Sequence, residues 1–257
     1  MSLHLVRLPL DLDALGRWSA ERGLGWGRRG RRGEAEGYDE GAALHHLLGE
    51  AFGGGVLQPF RLMVAPAPGV GRARVYAYAR KDAATLAETA RAVLLPEAAR
   101  VADLDGLDSR PMPDNWQPGQ RLGFDLRLRP VVRLASDLSG HRRGQEIDAF
   151  LAEALRRPEG EMGRMGRTRE AVYAGWLAER LDGAATLASA RLVRFQRVRA
   201  VRGRDLSEGP DAILQGTLEV QDPQAFADRL VRGVGRHKAY GYGMLLLRPP
   251  RARAPQW

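Results

Sequence analysis

The hydrophobic and polar positions follow two different periods along this chain. Residues 120–129 alternate apolar side chains at even positions with mostly charged ones at odd positions, as a half-buried strand requires. Elsewhere, as in 39–52, apolar residues recur every three or four positions, which predicts helices. On these patterns we predict strands at 2–10, 58–64, 72–79, 120–129, 186–201, 212–220 and 244–248, and helices at 11–22, 39–52, 82–94, 145–156, 168–181 and 223–232.

The order of these elements predicts the fold class. The first half reads β-α-α-β-β-α-β, which is a ferredoxin-like order with one extra helix. The second half, after Pro130, repeats a looser version of it. We therefore predict an α+β protein with two tandem ferredoxin-like domains at 1–130 and 131–257. Residues 23–37, rich in glycine and arginine, predict a mobile basic loop, and 137–166 looks like a second insertion.

The charge of the chain favours a polyanionic partner. Forty lysines and arginines outnumber 31 acids, for a net charge of +9. Most of the cations are arginine, which binds phosphates through its forked guanidinium and stacks on bases. A GC-rich genome would also enrich arginine, so the charge alone does not establish RNA binding. There is no cysteine, and no apolar run long enough for a membrane span or a signal peptide. We expect a soluble, cytoplasmic protein without a membrane partner.

The stretch 233–243 carries the strongest chemical signal. It holds four glycines, three potentially cationic side chains and two tyrosines, directly before an apolar run. Glycine permits positive φ and close approach to a ligand, and successive backbone N–H groups in such loops bind anions. A tight connection before a strand would also need glycines. A mononucleotide-binding P-loop is disfavoured because no Gly-Lys-Ser/Thr is present. We predict RNA contacts from this loop at Gly233, Gly235, Arg236, His237, Gly241 and Gly243.

Four segments of the chain resemble the Cas6e family of type I-E CRISPR endoribonucleases, which belongs to the RAMP superfamily. They are the glycine-rich loop with the apolar run after it, and residues 3–8, 118–130 and 172–181. The resemblance covers most of the chain and implies RAMP-type, RRM-like domains. It also implies a metal-independent endoribonuclease without cofactors, which binds the CRISPR repeat stem-loop of precursor crRNA and cuts at the 3′ base of the hairpin. Attack by the ribose 2′-OH would leave a 2′,3′-cyclic phosphate and a 5′-OH.

The resemblance further implies a set of partners. Members of the family commonly stay on the crRNA hairpin after cleavage and become subunits of the Cascade surveillance complex. We therefore expect Cascade subunits, with the Cas7 backbone first among them, as protein partners. Target DNA would be met only through that complex.

The chemistry requires a base for the 2′-OH and an acid for the leaving 5′-oxygen, and histidine suits both roles near neutral pH. Residues 44–52 resemble the catalytic helix of the family, in which His is followed three residues later by Leu and seven later by an aromatic residue. His45, with Leu48 and Phe52, keeps that spacing. His46 is the base if the register is shifted by one. Either residue could also be an ordinary histidine on a helix surface.

Two further residues are candidates for the catalytic site. Tyr38 precedes the helix of His45, and some relatives carry a tyrosine there that assists at the scissile phosphate. Lys238 aligns with the basic residue of the family's glycine-rich loop, where its charge would stabilise a transition-state oxyanion. An ordinary loop tyrosine remains the alternative for Tyr38.

Arginines supply the candidate contacts to the RNA stem. In the family, a basic hairpin enters the RNA groove or follows the stem, and five arginines lie in the corresponding strand, of which we select four as contacts. An alternating strand cannot present all of them to one surface without a bulge. Three more arginines at the end of the central strand are candidates to line the cleft, with solvated arginines on a sheet face as the alternative. The seven are Arg194, Arg197, Arg199, Arg202, Arg127, Arg129 and Arg133.

The sequence shows no metal site, because it has neither a carboxylate cluster of the two-metal type nor a His-x-x-x-His pair. We therefore expect cleavage to survive EDTA. The competing interpretation is a structural subunit of a CRISPR ribonucleoprotein that binds RNA without cutting it. Replacing His45 would then change nothing measurable.

Overall fold

Helices and antiparallel sheets form two units in this chain. The computed structural model describes residues 2–24, 38–64, 72–156, 166–202 and 205–249. Each unit contains one four-stranded antiparallel sheet. The first unit comprises Met1–Asn115, Arg199–Glu208 and Leu230–Met244, and the second comprises Trp116–Val198, Gly209–Arg229 and Leu245–Trp257. Most of the loop predicted at 23–37, and residues 157–165 of the insertion predicted at 137–166, lie outside the described residues.

The first unit has the strand order β2-β3-β1-β4. Every pairing in this sheet is antiparallel, with Leu8 opposite Val75 at its centre. The order and the intervening helices are those of a ferredoxin-like fold with α1 added. The elements are β1 (His4–Asp11), α1 (Leu12–Glu21), α2 (Glu40–Phe52), β2 (Phe60–Val64), β3 (Arg72–Ala79), α3 (Ala83–Val93), α4 (Pro96–Ala99) and β4 (Asp108–Pro111).

Aspartates determine where three helices of this unit begin. Asp11, Asp39 and Asp82 each accept a hydrogen bond from the backbone N–H three residues later, at 2.8, 3.1 and 2.9 Å. Such an N-cap satisfies a donor that the first turn leaves without an intrahelical partner. Asp39 therefore fixes the start of α2, and with it the position of every side chain along that helix.

The core of the first unit forms between the sheet and the apolar side of α2. Alternate residues of β1 point to the same face, and Val6, Leu8 and Leu10 are all buried there. Helix α2 adds Leu44 and Leu48 to the same core, and Ala51 and Phe52 follow. His45 lies beside this apolar stripe and is only half-buried. Packing of α2 therefore presents His45 away from the core.

The second unit repeats the same strand order, as β10-β5-β9-β8, with a separate two-stranded ladder of β6 and β7. When the strands of each four-stranded sheet are numbered 1 to 4 in chain order, both sheets have the spatial order 4-1-3-2. Strands β8 and β9 and helix α7 continue into residues counted with the first unit. The elements are β5 (Arg121–Leu128), β6 (Val131–Arg133), β7 (Glu146–Asp148), α5 (Ala149–Leu155), α6 (Arg169–Leu181), β8 (Ala185–Arg202), β9 (Asp205–Val220), α7 (Pro223–Arg232) and β10 (Leu246–Arg248).

The predicted class, α+β with two antiparallel sheets, is confirmed, but several elements differ. Strand β5, assigned to the first half, pairs with β9 and β10 in the second sheet. The fourth strand of the first sheet is β4, a short edge strand that ends in proline and gives little hydrophobic signal. The helix predicted at 145–156 opens with β7, so α5 is shorter.

The two C-terminal strands also differ from their predicted bounds. Strand β9 begins seven residues earlier than predicted, at Asp205 instead of 212. The prediction began the strand too late because β9 contains Gly209 and Pro210, residue types that usually mark turns. Gly209 has a specific use inside the strand, since a Cβ there would lie 2.5 Å from Nη2 of Arg129. Strand β10 is shorter than predicted and covers only Leu246–Arg248.

Candidate active site and RNA-contact residues

Helix α2 and the glycine-rich loop lie together in the first unit. A 3₁₀ turn, Lys238–Tyr240, forms the part of the loop that packs on α2. The ring centroids of His45 and Tyr240 are 5.2 Å apart, and the ring planes are inclined by 42°. The two stretches that the sequence analysis had selected separately therefore form one site.

Gly41 allows this close approach. It lies one helical turn before His45, on the same side of α2. A Cβ at Gly41 would lie 2.5 Å from the carbonyl oxygen of Tyr240 and 3.1 Å from Oδ1 of Asp39. Because a side chain at this position would collide with the loop backbone, only glycine permits the observed contact.

The loop has the backbone geometry that its glycines suggested. The φ angles of Gly233, Gly235, Gly241 and Gly243 are 70°, 75°, 82° and 79°. His237 also has a positive φ, 62°, which is uncommon outside glycine. The N–H of Val234 donates to the carbonyl of Gly243 at 2.8 Å and closes the loop at its base.

The aliphatic stem of Lys238 packs across the base of this loop. A Cβ at Gly233 would lie 3.1 Å from Cδ of Lys238, and a Cβ at Gly243 would lie 3.2 Å from its Cγ. The same position at Gly233 would lie 2.7 Å from Cγ of Pro59. The two glycines thus leave room for the lysine stem, which is half-buried, whereas Arg236 is exposed.

A small cavity opens beside His45. Gly49, residues 53–55, Gln58 and Ala239 are among the residues that line it. A Cβ at Gly49 would meet no atom within 4 Å, and Gly53 and Gly55 have positive φ angles of 94° and 80°. Half of the lining residues are glycine or alanine, so little side-chain bulk covers the imidazole on this side.

His46 and Tyr38, the other two candidates near His45 in sequence, lie in different surroundings. His46 is exposed, and its ring centroid lies 5.3 Å from that of His45. Tyr38 packs against the core, and its hydroxyl accepts a hydrogen bond from Oγ of Ser19 at 3.4 Å. Burial raises the pKa of Tyr38. The structure thus places Tyr38 against α1, and the tyrosine it brings to His45 is Tyr240.

Sequence reasoning did not assign roles to Tyr240 and Gly41 individually. Tyr240 had been noted only as one of the two tyrosines of the loop. Gly41 gave little signal, because it is the second residue of α2 and the cost of glycine applies to helix interiors. The partner of that glycine lies almost 200 residues later and could not be deduced from helical spacing.

A buried carboxylate holds two of the predicted RNA-contact arginines in the second unit. Nε and Nη2 of Arg127 donate to Oδ1 and Oδ2 of Asp211 at 2.8 and 3.0 Å. Asp211 also accepts from Nη2 of Arg194 at 3.0 Å and Nε2 of Gln196 at 2.9 Å. Burial alone would raise the pKa of Asp211, but its bonds with Arg127 and the other donors lower it overall.

The other arginines range from enclosed to exposed. Arg129 is only 3% exposed, and its guanidinium lies against Gly209. Arg133 is exposed, with Nε donating to the carbonyl of Gly144 at 3.0 Å. Arg197 and Arg199 are exposed, whereas Arg202 ends β8 with a side chain outside the described part. The burial of Arg129 and the ion pair of Arg127 argue against direct RNA contact for these two.

Among the described residues, no group of three or more His, Asp and Glu side chains is arranged to hold a metal ion. No helix within the same ranges is both long enough and apolar enough to cross a membrane.

Comparison with known proteins identifies the family. The sequence profile of the CRISPR-associated protein family matches residues 3–249. The chain therefore belongs to this family. No curated protein sequence matches the chain significantly.

Solved structures show which fold the chain shares. Cse3 of Thermus thermophilus, bound to an RNA representing a pre-cleavage complex, is 21% identical, with a TM-score of 0.61 over 97% of this chain and 100% of that one. Cas6e of Escherichia coli K-12 is 17% identical, with a TM-score of 0.57 over 96% and 99%. A chain of a pre-nicking CRISPR RNA-guided surveillance complex is 15% identical, with 0.51 over 97% and 100%. The resemblance to Cas6e is thus confirmed at the level of family and fold, including the two ferredoxin-like domains.

Proposed function

We propose that this protein is an endoribonuclease that binds the stem-loop of CRISPR repeat RNA and cuts precursor crRNA at the 3′ base of the hairpin. The observation that carries the proposal is the placement of His45, which α2 holds against the turn Lys238–Tyr240 of a glycine-rich loop. Membership of the CRISPR-associated family supports it. So does the fold shared with Cse3, which has been solved with bound RNA.

The reaction is an attack by the ribose on its own neighbouring phosphate. His45 removes the proton of the 2′-OH, and the 2′-oxygen forms a bond to phosphorus. The bond from phosphorus to the 5′-oxygen breaks, and that oxygen takes up a proton from an acid in the site. The products are a 2′,3′-cyclic phosphate and a 5′-OH. The 2′-oxygen replaces the 5′-oxygen on phosphorus, so no water is consumed in this step.

The loop supplies the groups that stabilise negative charge on the phosphate. Positive φ angles at its glycines and at His237 turn successive backbone N–H groups into an anion-binding arrangement. Lys238 adds a fixed charge, since its stem packs inside the loop, and Arg236 adds an exposed one. Donors that are held in place before the reaction stabilise the developing oxyanion without reorganisation.

Exposed arginines of β6 and β8 bind the RNA stem in this proposal. Arg133, Arg197 and Arg199 are exposed, and the guanidinium of Arg194 is about half exposed while Asp211 orients it. Guanidinium groups at such positions bind phosphates through paired N–H donors. We assign Arg127 and Arg129 to holding the sheet together, because both are enclosed by protein groups.

Metal independence and assembly into Cascade are part of the same proposal. Deprotonation by His45 and charge neutralisation by Lys238 leave no step that requires a bound cation, so we expect undiminished cleavage in EDTA. The fold shared with a chain of a surveillance complex supports retention of the product hairpin as a Cascade subunit beside Cas7. Target DNA would then be encountered only by the assembled complex.

The experiment that tests the proposal is single-turnover cleavage of the host CRISPR repeat RNA, in EDTA. Wild type is compared with His45→Ala, His46→Ala and His141→Ala, the last being a histidine of the second unit outside the site. A 2′-deoxy substitution at the scissile nucleotide removes the nucleophile. General-base assistance is worth roughly 10²–10⁴-fold, so His45→Ala should slow cleavage by that factor with RNA binding retained.

The outcomes separate the alternatives. Cleavage of the deoxy RNA would contradict attack by the 2′-OH, and loss of all activity in EDTA would contradict a metal-independent mechanism. If His46→Ala alone is inactive, the base is His46. If the wild type binds the hairpin and never cuts it, the protein is a structural RNA-binding subunit.

A further inference from the structure

We infer that Tyr240 is a positioning residue, whose ring holds the His45 imidazole in its reactive orientation, and that Gly41 makes this contact possible. The inference rests on the proposed role of His45 as the general base. It concerns a pair of residues joined by close contact between the backbone of the loop and α2.

The orientation of the His45 imidazole depends on what restrains rotation about its χ2 torsion. The χ2 torsion of histidine has a broad profile, so helical backbone geometry does not fix the direction of its ring nitrogens. A general base must place one nitrogen within hydrogen-bond reach of the proton that it removes. The Tyr240 ring lies 5.2 Å from the imidazole, centroid to centroid, and limits its rotation on one side. The glycines and the alanine that line part of the cavity leave another side open to RNA.

Tyr240 is itself held in place by the 3₁₀ turn that carries it. Its N–H donates to the carbonyl of His237 at 3.0 Å. Left-handed residues bound the turn at both ends, with φ of 62° at His237 and 82° at Gly241. This geometry gives His237 a structural use at the start of the turn. A ring carried on a fixed turn can restrain its neighbour, whereas a ring on a loosely held loop cannot.

Gly41 is the point at which the loop backbone approaches α2 closely enough to exclude a side chain. The carbonyl oxygen of Tyr240 approaches α2 so closely that a Cβ at position 41 would lie 2.5 Å from it. Gly41 is the second residue of α2 and lies one helical turn before the proposed base. The absence of a side chain at position 41 therefore lets the turn, and Tyr240 with it, pack on α2 next to His45.

Substitutions from both sides of the contact test the inference. Tyr240→Ala and Tyr240→Leu remove the ring, and Tyr240→Phe keeps it. Gly41→Ala pushes the turn away without changing any ring. Gly16→Ala is the matched control, because Gly16 is also inside a helix, α1, and a Cβ there would meet nothing within 4 Å.

The measurements are the single-turnover rate constant at saturating protein and the dissociation constant for uncleavable 2′-deoxy repeat RNA. Misplacing a reactive group by about 1 Å can cost roughly 10²-fold, so Tyr240→Ala, Tyr240→Leu and Gly41→Ala should lower the rate constant by about that factor. Binding of deoxy RNA should change by no more than about threefold, since the lost interaction acts on the reaction step. Tyr240→Phe and Gly16→Ala should cleave at the wild-type rate.

Double variants separate this inference from a general structural effect and from the proposed function. In a His45→Ala background, Tyr240→Ala should cause no further loss, because a positioning residue acts only through the base that it positions. An equal further loss, or an equal defect in Tyr240→Phe, would overturn the inference. Full activity of Tyr240→Ala beside an inactive His45→Ala would overturn it as well and leave the proposed function intact. If His45→Ala retains full activity, the assignment of the base fails.

Discussion

His45 and Arg127 carry groups suited to RNA chemistry, yet the protein holds them in opposite ways. Arg127 is bound to both oxygens of the buried Asp211, and only 20% of its side chain is exposed. His45 is half-buried between a loop and a cavity that is lined in part by glycines. The difference shows that residue type alone does not reveal whether a side chain is accessible to RNA. Around His45, glycines allow close packing without covering the imidazole. Arg127, by contrast, is largely shielded from solvent by its ion pair with Asp211 on a neighbouring strand.

The largest effect in this comparison is expected at Gly243. Its φ is 79°, and a Cβ there would collide with the carbonyl oxygen of Val234 at the base of the loop. Gly243→Ala should therefore displace the loop from α2 and reduce cleavage by roughly 10²-fold or more. The measurement is single-turnover cleavage beside a thermal unfolding curve.

Gly183→Ala is the control for backbone strain in that experiment. Gly183 has a similar φ of 77°, but a Cβ there would meet nothing within 4 Å. The two variants share the penalty of a left-handed alanine and differ in the collision. Equal cleavage rates for both would show that the contact at the base of the loop does not matter for the site.

Removing Asp211 should leave the chemistry in place and weaken the second unit. Asp211→Ala deprives Arg127 of its buried counter-charge, and breaking such a pair from one side costs about 3 kcal/mol of the free energy of unfolding. Asp105→Ala is the matched control, because Asp105 pairs with Arg91 at 2.6 Å on the surface. Exposed pairs contribute less than about 1 kcal/mol. A loss no larger in Asp211→Ala than in the control would contradict a structural role for Arg127.

Asp211 also predicts a pH dependence. Its pKa in the folded protein lies below the ordinary value: burial opposes this shift, and the bonds from Arg127 and the other donors outweigh burial. Its stabilising contribution is therefore complete above the unfolded pKa of about 3.9, and is lost as pH falls through the lower folded pKa. Unfolding temperatures measured from pH 6 downward, in wild type and Asp211→Asn, should converge in acid. Parallel curves would contradict this.

The smallest effect is expected from single arginines that contact phosphate. Arg197→Gln should weaken binding of repeat RNA by a few-fold and lower the slope of log K against log salt by about one. Arg127→Gln should lower stability and leave that slope unchanged. A reduced slope in Arg127→Gln and an unchanged slope in Arg197→Gln would invert the assignment of the two arginines.

Local physics made much of the fold predictable. Alternation marked β5, and the recurrence of apolar residues every three or four positions marked α1, α2 and α3, because both signals are complete within a few residues. Strand β4 escaped because edge strands can be short and polar. The early part of β9 escaped because Gly209 serves the packing of Arg129, which no neighbour in sequence reveals.

The candidate site was predictable in its parts and not in its assembly. The loop glycines and His45 were selected from residue type and from a family resemblance. The choice of Tyr38 over Tyr240 followed proximity in sequence to the histidine helix. Contact between residues so far apart depends on the strand order of the first sheet and the path of α7, and neither can be read from local periodicity.

The discontinuous make-up of the first unit has a consequence for protein synthesis. Helix α2 emerges early from the ribosome, but residues 230–244 of the same unit come after nearly all of the second. Domains generally fold as units while the chain is made, and the first unit cannot finish in that way. A nascent chain therefore carries His45 without the surface on which it packs. The site around His45 is complete only after the chain has been elongated past Gly243, and under the proposed function RNA close to a translating ribosome is not cut before that point.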